Sequence, residues 1–128
     1  MGVGMPFSLY LQEFGSHLWF AFGHPAYHVG SSLHKKDGWR DVDVRMLITD
    51  EEWAAFGFSD PEGQLHQDGK WVAYCLAFSA LGKSMTGLPI DFQIQPYKWA
   101  NEVFNAPEHL RSAIGITPLR MAKYHESG

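Results

Sequence analysis

Two aspartates at the start of an apolar strand constrain this chain more than any other feature. Asp41 and Asp43 are separated by one valine and lead into a largely apolar run that ends at Ile48. Successive side chains of a strand point to opposite faces, so both carboxylates are expected on the same face. Neighbouring carboxylates repel and raise each other's pKa. A fold that keeps such a pair therefore needs something to compensate the repulsion.

The compensation predicted here is a divalent cation, Mg²⁺ with Mn²⁺ as a substitute, because hard cations prefer oxygen ligands and bind one or two carboxylates plus phosphates. The ordinary alternative is an edge strand with a hydrated polar face. Two features favour the metal. Gly30 and Ser31 end a short predicted strand, where backbone N–H groups and hydroxyls can bind phosphate. Asp91 adds a third carboxylate from another strand, on the face shared with Gln93 and Gln95.

These residues together resemble the nucleotidyltransferase superfamily of the DNA polymerase β type. The motif of that family is a hydrophobic residue, Gly-Ser, a loop, Asp-hydrophobic-Asp-hydrophobic and a later third acid on a strand. The matching residues here are Val29-Gly30-Ser31, Asp41-Val42-Asp43-Val44 and Asp91. The resemblance covers about residues 8–106, and the chain is also similar to small stand-alone members encoded by actinobacterial phages.

The resemblance implies a magnesium-dependent enzyme that moves a nucleoside monophosphate from a nucleoside triphosphate, such as ATP, to an acceptor hydroxyl and releases pyrophosphate. Asp41 and Asp43 would bind the metal, and Asp91 would bind metal or take the proton of the acceptor. A short helix is expected after the Gly-Ser turn, with its dipole adding to the phosphate site. The residues expected to contact the nucleotide are Gly30, Ser31, Ser32, Lys36 and Arg40.

The acceptor stays open, because the loop before Asp41 carries Lys35, Lys36 and Arg40 in place of the arginine-rich run of toxin-associated members. Two other functions also stay open. One is an inactive module that keeps the fold and acts through protein contact, and the other is a metal-dependent phosphohydrolase, since clustered acids also suit attack by water.

Other kinds of site are disfavoured. His24, His28 and His34 are close in sequence, but Pro25 interrupts the helical face that would bring the first two together on zinc. The chain contains no Gly-x-Ser-x-Gly elbow, no Walker A sequence and no Gly-x-Gly-x-x-Gly.

The composition predicts one domain, residues 1–128, in a reducing compartment. A net charge of −4 without a basic block argues against a large nucleic-acid surface. Cys75 is the single cysteine, and its apolar helical surroundings predict a buried, inert thiol. No apolar run reaches the roughly 20 residues that span a bilayer, and no signal peptide is recognisable. We therefore expect a cytoplasmic protein without a membrane partner, whose acceptor is selected by a homodimer mate or a partner protein.

The expected fold is α/β, or α+β on a strict count, with a small mixed sheet flanked by helices and the site at one edge. Hydrophobic periodicity, helix caps and turn residues predict the individual elements. They are a helix over 9–22 capped by Ser8, a strand over 26–29, a strand from Asp41 to Ile48, a helix from a capping box at Thr49 to Gly57, a loop over 57–70, a helix over 71–85, a strand over 90–95, and short helices after Pro96 and over 107–114.

Overall fold

In the described part of the chain, four strands form one mixed sheet, and the two longest helices pack against one of its faces. The computed structural model describes residues 4, 6–34, 40–104 and 110–115. The elements in chain order are α1 Phe7–Phe22, β1 Ala26–Val29, α2 Ser31–His34, β2 Val42–Ile48, α3 Asp50–Phe56, a 3₁₀ turn Leu65–Gln67, α4 Gly69–Thr86, β3 Ile90–Pro96, α5 Tyr97–Val103 and β4 Ser112–Ile114. The expected mixture of helices with a small mixed sheet is confirmed.

The strand order is β3-β2-β1-β4. Strand β2 is parallel to β3, whereas β1 is antiparallel to both of its neighbours, β2 and β4. A parallel neighbour requires a crossover, and α3 and α4 provide it between β2 and β3. Strand β2, which carries Asp43 and begins one residue after Asp41, is therefore an inner strand, with β1 on one side and β3 on the other.

Alternation over Val42–Met46 of β2 and Ile90–Ile94 of β3 separates the core from the opposite face of the sheet. In these stretches every second residue is buried against α1 and α4 and the residues between them are partly exposed, whereas Leu47 and Gln95 further along are buried. The indole N–H of Trp71 on α4 donates to the carbonyl of Ile94 at 2.9 Å, which fixes that helix on β3. The core residues are Leu11, Phe14, Leu18, Ala26, Val42, Val44, Met46, Ile48, Trp53, Phe58, Trp71, Cys75, Leu88, Ile90, Phe92, Ile94 and Ile114.

The thiol of Cys75 lies in this core, as its helical surroundings predict. Burial raises its pKa to about 11, so the thiol is protonated at neutral pH and is a poor nucleophile.

Helix boundaries follow local sequence signals in most places. The capping box at Thr49 and Glu52 is present, and Gly57 ends α3 in the left-handed conformation. Gly23 and Gly87 end α1 and α4 in the same way. These predicted starts and stops are confirmed because each depends on residues within one turn of the helix end.

The strand predicted from Asp41 begins one residue later, at Val42, and three further predictions for the elements are wrong. Helix α1 begins at Phe7, after Pro6, so Ser8 lies inside its first turn and does not cap it. The predicted loop over 57–70 contains the 3₁₀ turn and the start of α4, because the carboxylate of Asp68 accepts hydrogen bonds from the backbone N–H groups of Lys70 and Trp71.

The third correction concerns the helix predicted over 107–114. In the described part of that range, Ser112–Ile114 is a strand paired with Ala26, Tyr27 and His28. Pairing along the edge of β1 and burial of Ile114 override the local helical preference.

No helix among the described residues combines the length and the apolar character needed to cross a bilayer.

Gly15 lies where α1 crosses β4. An added Cβ would lie 2.5 Å from the carbonyl oxygen of Ile114, so only glycine lets the helix approach the strand this closely. The side-chain carbonyl of Gln12 accepts the backbone N–H of Gly115 at 2.7 Å beside this contact. The glycine that weakens the helix on propensity alone is thus required by packing.

We expect Gly15→Ala to lower the free energy of unfolding by about 1–3 kcal/mol, the usual cost of overpacking a core. Gly69→Ala is the matched control, because Gly69 is also helical but has no atom within 4 Å of an added Cβ. The control should be neutral or slightly stabilising. Urea denaturation of both variants measures the difference, and equal midpoints would contradict the close packing of α1 on β4.

Candidate functional site

The face of the sheet opposite the core carries a row of polar side chains. Asp43 and Arg45 of β2 share it, because Val42 before them and Val44 between them are fully buried on the core side. Gln93 and Asp91 share it on β3, where Phe92 is buried on the core side. The predicted alternation is confirmed over Val42–Met46 and Ile90–Ile94, whereas Asp41, predicted on the same strand and face as Asp43, precedes the strand.

Asp43 and Asp91 are direct neighbours across the parallel pair β2 and β3. Neighbouring strands lie about 4.8 Å apart, so the two carboxylates share one local environment. The side chain of Asp43 is 27% exposed and that of Asp91 is 43% exposed. The structure thus brings together two of the three predicted acids, one from each strand.

The pKa of Asp43 is raised above the ordinary aspartate value. Burial is the largest cause, and the carboxylates of Asp91 and Asp41 raise it further, while Arg45 acts in the opposite direction. The negative charge of Asp43 is therefore only partly compensated by its surroundings. A cation placed beside it would stabilise the ionised form.

Arg45 is the residue of this cluster that the sequence reasoning missed. Its Nη1 donates to the carbonyl oxygen of Asp91 at 2.7 Å and to that of Val44 at 3.2 Å. Its Nη2 lies 3.5 Å from Oδ2 of Asp91 and 3.7 Å from Oδ1 of Asp43. The guanidinium is thus placed between the two carboxylates. Period-two spacing after Asp43 was the signal that could have found it.

The Gly-Ser turn meets Asp43 directly. Val29 at the end of β1 pairs with Asp43, and Gly30 follows with a φ of 79°, a left-handed conformation that favours glycine. A Cβ on Gly30 would collide with Oδ2 of Asp43. One carboxylate oxygen of Asp43 therefore faces the turn, while the other faces Arg45.

The remaining predicted nucleotide contacts are placed differently. Ser31 is exposed at the start of α2, whereas Ser32 is fully buried with its hydroxyl 2.7 Å from Nε2 of His28. A nucleotide contact through the Ser32 hydroxyl therefore has no support in the structure. Helix α2 follows the turn as expected, but it has only four residues, so its dipole is small.

The start of β2 and the preceding loop complete the predicted set. Arg40 and Asp41 are both exposed and precede the first residue of the strand. Lys36 lies outside the described residues.

A cleft of about 250 Å³ opens on this face. Its volume lies just below the roughly 300–1,000 Å³ typical of small-molecule sites, so it would enclose part of a ligand of nucleotide size. Helix α5 supplies Trp99, which only the tertiary structure places here. The described residues that line the cleft are Val29, Gly30, Asp43, Arg45, Gln93, Gln95, Trp99, Phe104 and Leu110.

The donor set fits a cation held by few protein ligands. Among the described residues no cluster of three or more His, Cys, Asp or Glu side chains is positioned to hold a metal. A cation bound by Asp43, with Asp41 beside it, and completed by phosphate oxygens matches the usual coordination of Mg²⁺ in proteins. A preformed cage of three carboxylates does not match these residues, because Arg45 lies between Asp43 and Asp91.

Comparison of the chain with known protein families, with curated proteins and with solved structures found no match.

We expect Asp43→Asn to be no less stable than the wild type at pH 7. A raised carboxyl pKa in the folded state means that ionisation opposes folding, so the stability contributed by the protonated acid is present at low pH and is lost as the pH rises through the raised pKa. The advantage of the variant should therefore grow from acid to neutral pH. Thermal unfolding across this range measures it.

Asp68→Asn is the control with the opposite expectation. Hydrogen bonds from the backbone N–H groups of Ser59 and Trp71 lower the pKa of Asp68, and both of its carboxylate oxygens accept. An amide would place its NH₂ group against one of these donors. The variant should lose stability at neutral pH, and similar behaviour of the two variants would argue against an uncompensated charge at Asp43.

Proposed function

We propose that the protein is a nucleotidyltransferase that uses Mg²⁺ or Mn²⁺ to transfer a nucleoside monophosphate from a nucleoside triphosphate to an acceptor hydroxyl. The observation that carries the proposal is the contact between the Gly30 turn and Asp43, with Asp91 in register beside Asp43. Gly30 and Asp43, from two parts of the sequence motif, line one cleft, and Asp91, the third part, pairs with Asp43 on the neighbouring strand.

Each part of the cleft suits one part of the substrate. Backbone N–H groups of the turn at Gly30 and Ser31 would bind phosphate oxygens. Trp99, Phe104 and Leu110 offer an apolar wall for the nucleobase. The cation, when bound by Asp43 and Asp41, would neutralise charge on the triphosphate. The cleft thus combines a charged side with an apolar side, as a nucleotide site requires.

The side chain of Asp91 is more exposed than that of Asp43 and is accessible to an incoming acceptor. In the proposed reaction the acceptor oxygen forms a bond to the α-phosphorus and the bond to pyrophosphate breaks. The carboxylate of Asp91 would accept the proton of the acceptor hydroxyl. A domain of this size leaves few residues to choose the acceptor, so a homodimer mate or a partner protein would supply that choice.

A nucleotide-binding module without transferase activity is the second candidate. Arg45 favours this candidate, because its guanidinium lies near the carboxylates of both Asp43 and Asp91. In an active metal site the negative charge of these carboxylates would be neutralised by metal ions. Either function requires nucleoside triphosphates and Mg²⁺, which are available in the cytoplasm.

Nucleoside triphosphate with Mg²⁺ should raise the melting temperature, and the same nucleotide with chelator should not. At a ligand concentration a hundredfold above the dissociation constant, mass action gives about 2.7 kcal/mol of stabilisation. Asp43→Asn should abolish the shift, whereas Glu51→Gln, an exposed acid on α3, should retain it. Shifts that do not depend on Mg²⁺ or on Asp43 would contradict the proposed cation site.

Transfer itself is tested with α-labelled nucleoside triphosphates, Mg²⁺ and a lysate as the source of acceptor. Label transferred to an acceptor with release of pyrophosphate supports the enzyme. Release of phosphate alone would indicate a phosphohydrolase, and binding without turnover would indicate the inactive module.

Trp99→Ala should weaken nucleotide binding, because stacking of a base on an aromatic side chain contributes about 1–3 kcal/mol. Tyr97→Ala is the matched control, since Tyr97 is an exposed aromatic on the same helix and is not among the residues lining the cleft. Calorimetric titration with a non-hydrolysable triphosphate measures both affinities. Equal losses in the two variants would place the base elsewhere.

A further inference from the structure

We propose that Arg45 is a built-in cation that prevents a divalent metal ion from binding between Asp43 and Asp91. The inference rests on the cation-binding role proposed for Asp43 and specifies which of its two carboxylate oxygens can bind the ion. One ion would bind on the side of Asp43 that faces the Gly30 turn, and the side that faces Asp91 would stay closed to metal.

The guanidinium is held in place by more than the two carboxylates. Its Nη1 donates to carbonyl oxygens of both strands, that of Asp91 at 2.7 Å and that of Val44 at 3.2 Å. The side chain is only 15% exposed. Arg45 therefore differs from a surface arginine that swings away at little cost, because leaving would break hydrogen bonds to backbone carbonyls on two strands.

The position of the charge excludes a metal ion for both geometric and electrostatic reasons. Nη2 lies 3.7 Å from Oδ1 of Asp43 and 3.5 Å from Oδ2 of Asp91, so it occupies the space between the oxygens that would have to converge on an ion. Arginine stays charged at every physiological pH. A divalent cation at the same place would meet a fixed positive charge at close range.

The other oxygen of Asp43 lies away from Arg45. Oδ2 packs against Gly30, where a Cβ would collide with it, and both residues line the cleft. Asp43 thus has two different sides, one beside a protein cation and one beside the turn at the cleft. The arrangement predicts that Asp91 does not share a metal ion with Asp43 in the wild-type protein.

Counting bound Mn²⁺ by electron paramagnetic resonance of the free ion tests this directly. The single variant Asp91→Asn, with Arg45 in place, should bind the same number of Mn²⁺ ions as the wild type. Arg45→Met, which keeps the aliphatic stem and removes the charge, should gain one ion per chain. That additional ion should be lost in the double variant Arg45→Met/Asp91→Asn, while Arg45→Lys, which keeps a charge, should gain none.

Loss of one ion in Asp91→Asn would overturn the proposal, as would a folded Arg45→Met variant that gains none. The comparison of wild type with Asp91→Asn remains decisive even if removal of Arg45 unfolds the protein. Circular dichroism establishes the folding of each variant. The ions are counted without nucleotide, so the count does not depend on transferase activity. If no nucleotidyl transfer is found, the proposed enzyme is rejected, but the ion counts still test the role of Arg45. If transfer is found and the folded Arg45→Met variant gains no ion, only the role of Arg45 is rejected.

Discussion

The parallel pairing of β2 with β3 is the constraint on which the core and the candidate site both depend. One register places Val44 beside Phe92 on the buried face and Asp43 beside Asp91 on the other. A slip of one residue would turn the apolar set outward and separate the carboxylates, so the burial of the core also fixes the chemistry of the opposite face. No further interaction is needed to place Asp43 beside Asp91, because burial of the apolar core residues already selects the register of β2 and β3.

Local sequence signals predicted most of the fold, and long-range pairing accounts for what they missed. The capping box at Thr49 and the helical periodicity over 71–85 act within a few residues, and the two helices that they predict are confirmed. The three residues of β4 carry no comparable signal. They form a strand only because the exposed edge of β1 accepts them, and Ile114 is then buried against α1. No rule that reads neighbouring residues could have distinguished this segment from a short helix.

The sequence predicted which side chains of one strand share a face, but not which residues of different strands lie next to each other. Alternation alone placed Asp43 on a polar face and Asp91 on another. Their adjacency, and the contact of Gly30 with Asp43, required the register. Arg45 shares the face of Asp43 by the same alternation, yet its role depends on reaching the carbonyl of Asp91 on the next strand. Trp99 joins the cleft through the position of α5, which periodicity does not define. The sequence therefore indicated the residue types of the site, and tertiary structure assigned their partners.

The close approach of Gly15 to Ile114 has a consequence for synthesis on the ribosome. Residues near the two ends of the described chain share one interface, which the hydrogen bond from the Ser16 hydroxyl to the carbonyl of Gly115 also spans. Helix α1 leaves the ribosome early, but its β4 partner is translated almost a hundred residues later. Until β4 is made, the edge of β1 that pairs with it and the side of α1 at Gly15 have no partner. The nascent chain therefore exposes an edge that can accept a strand during most of its translation.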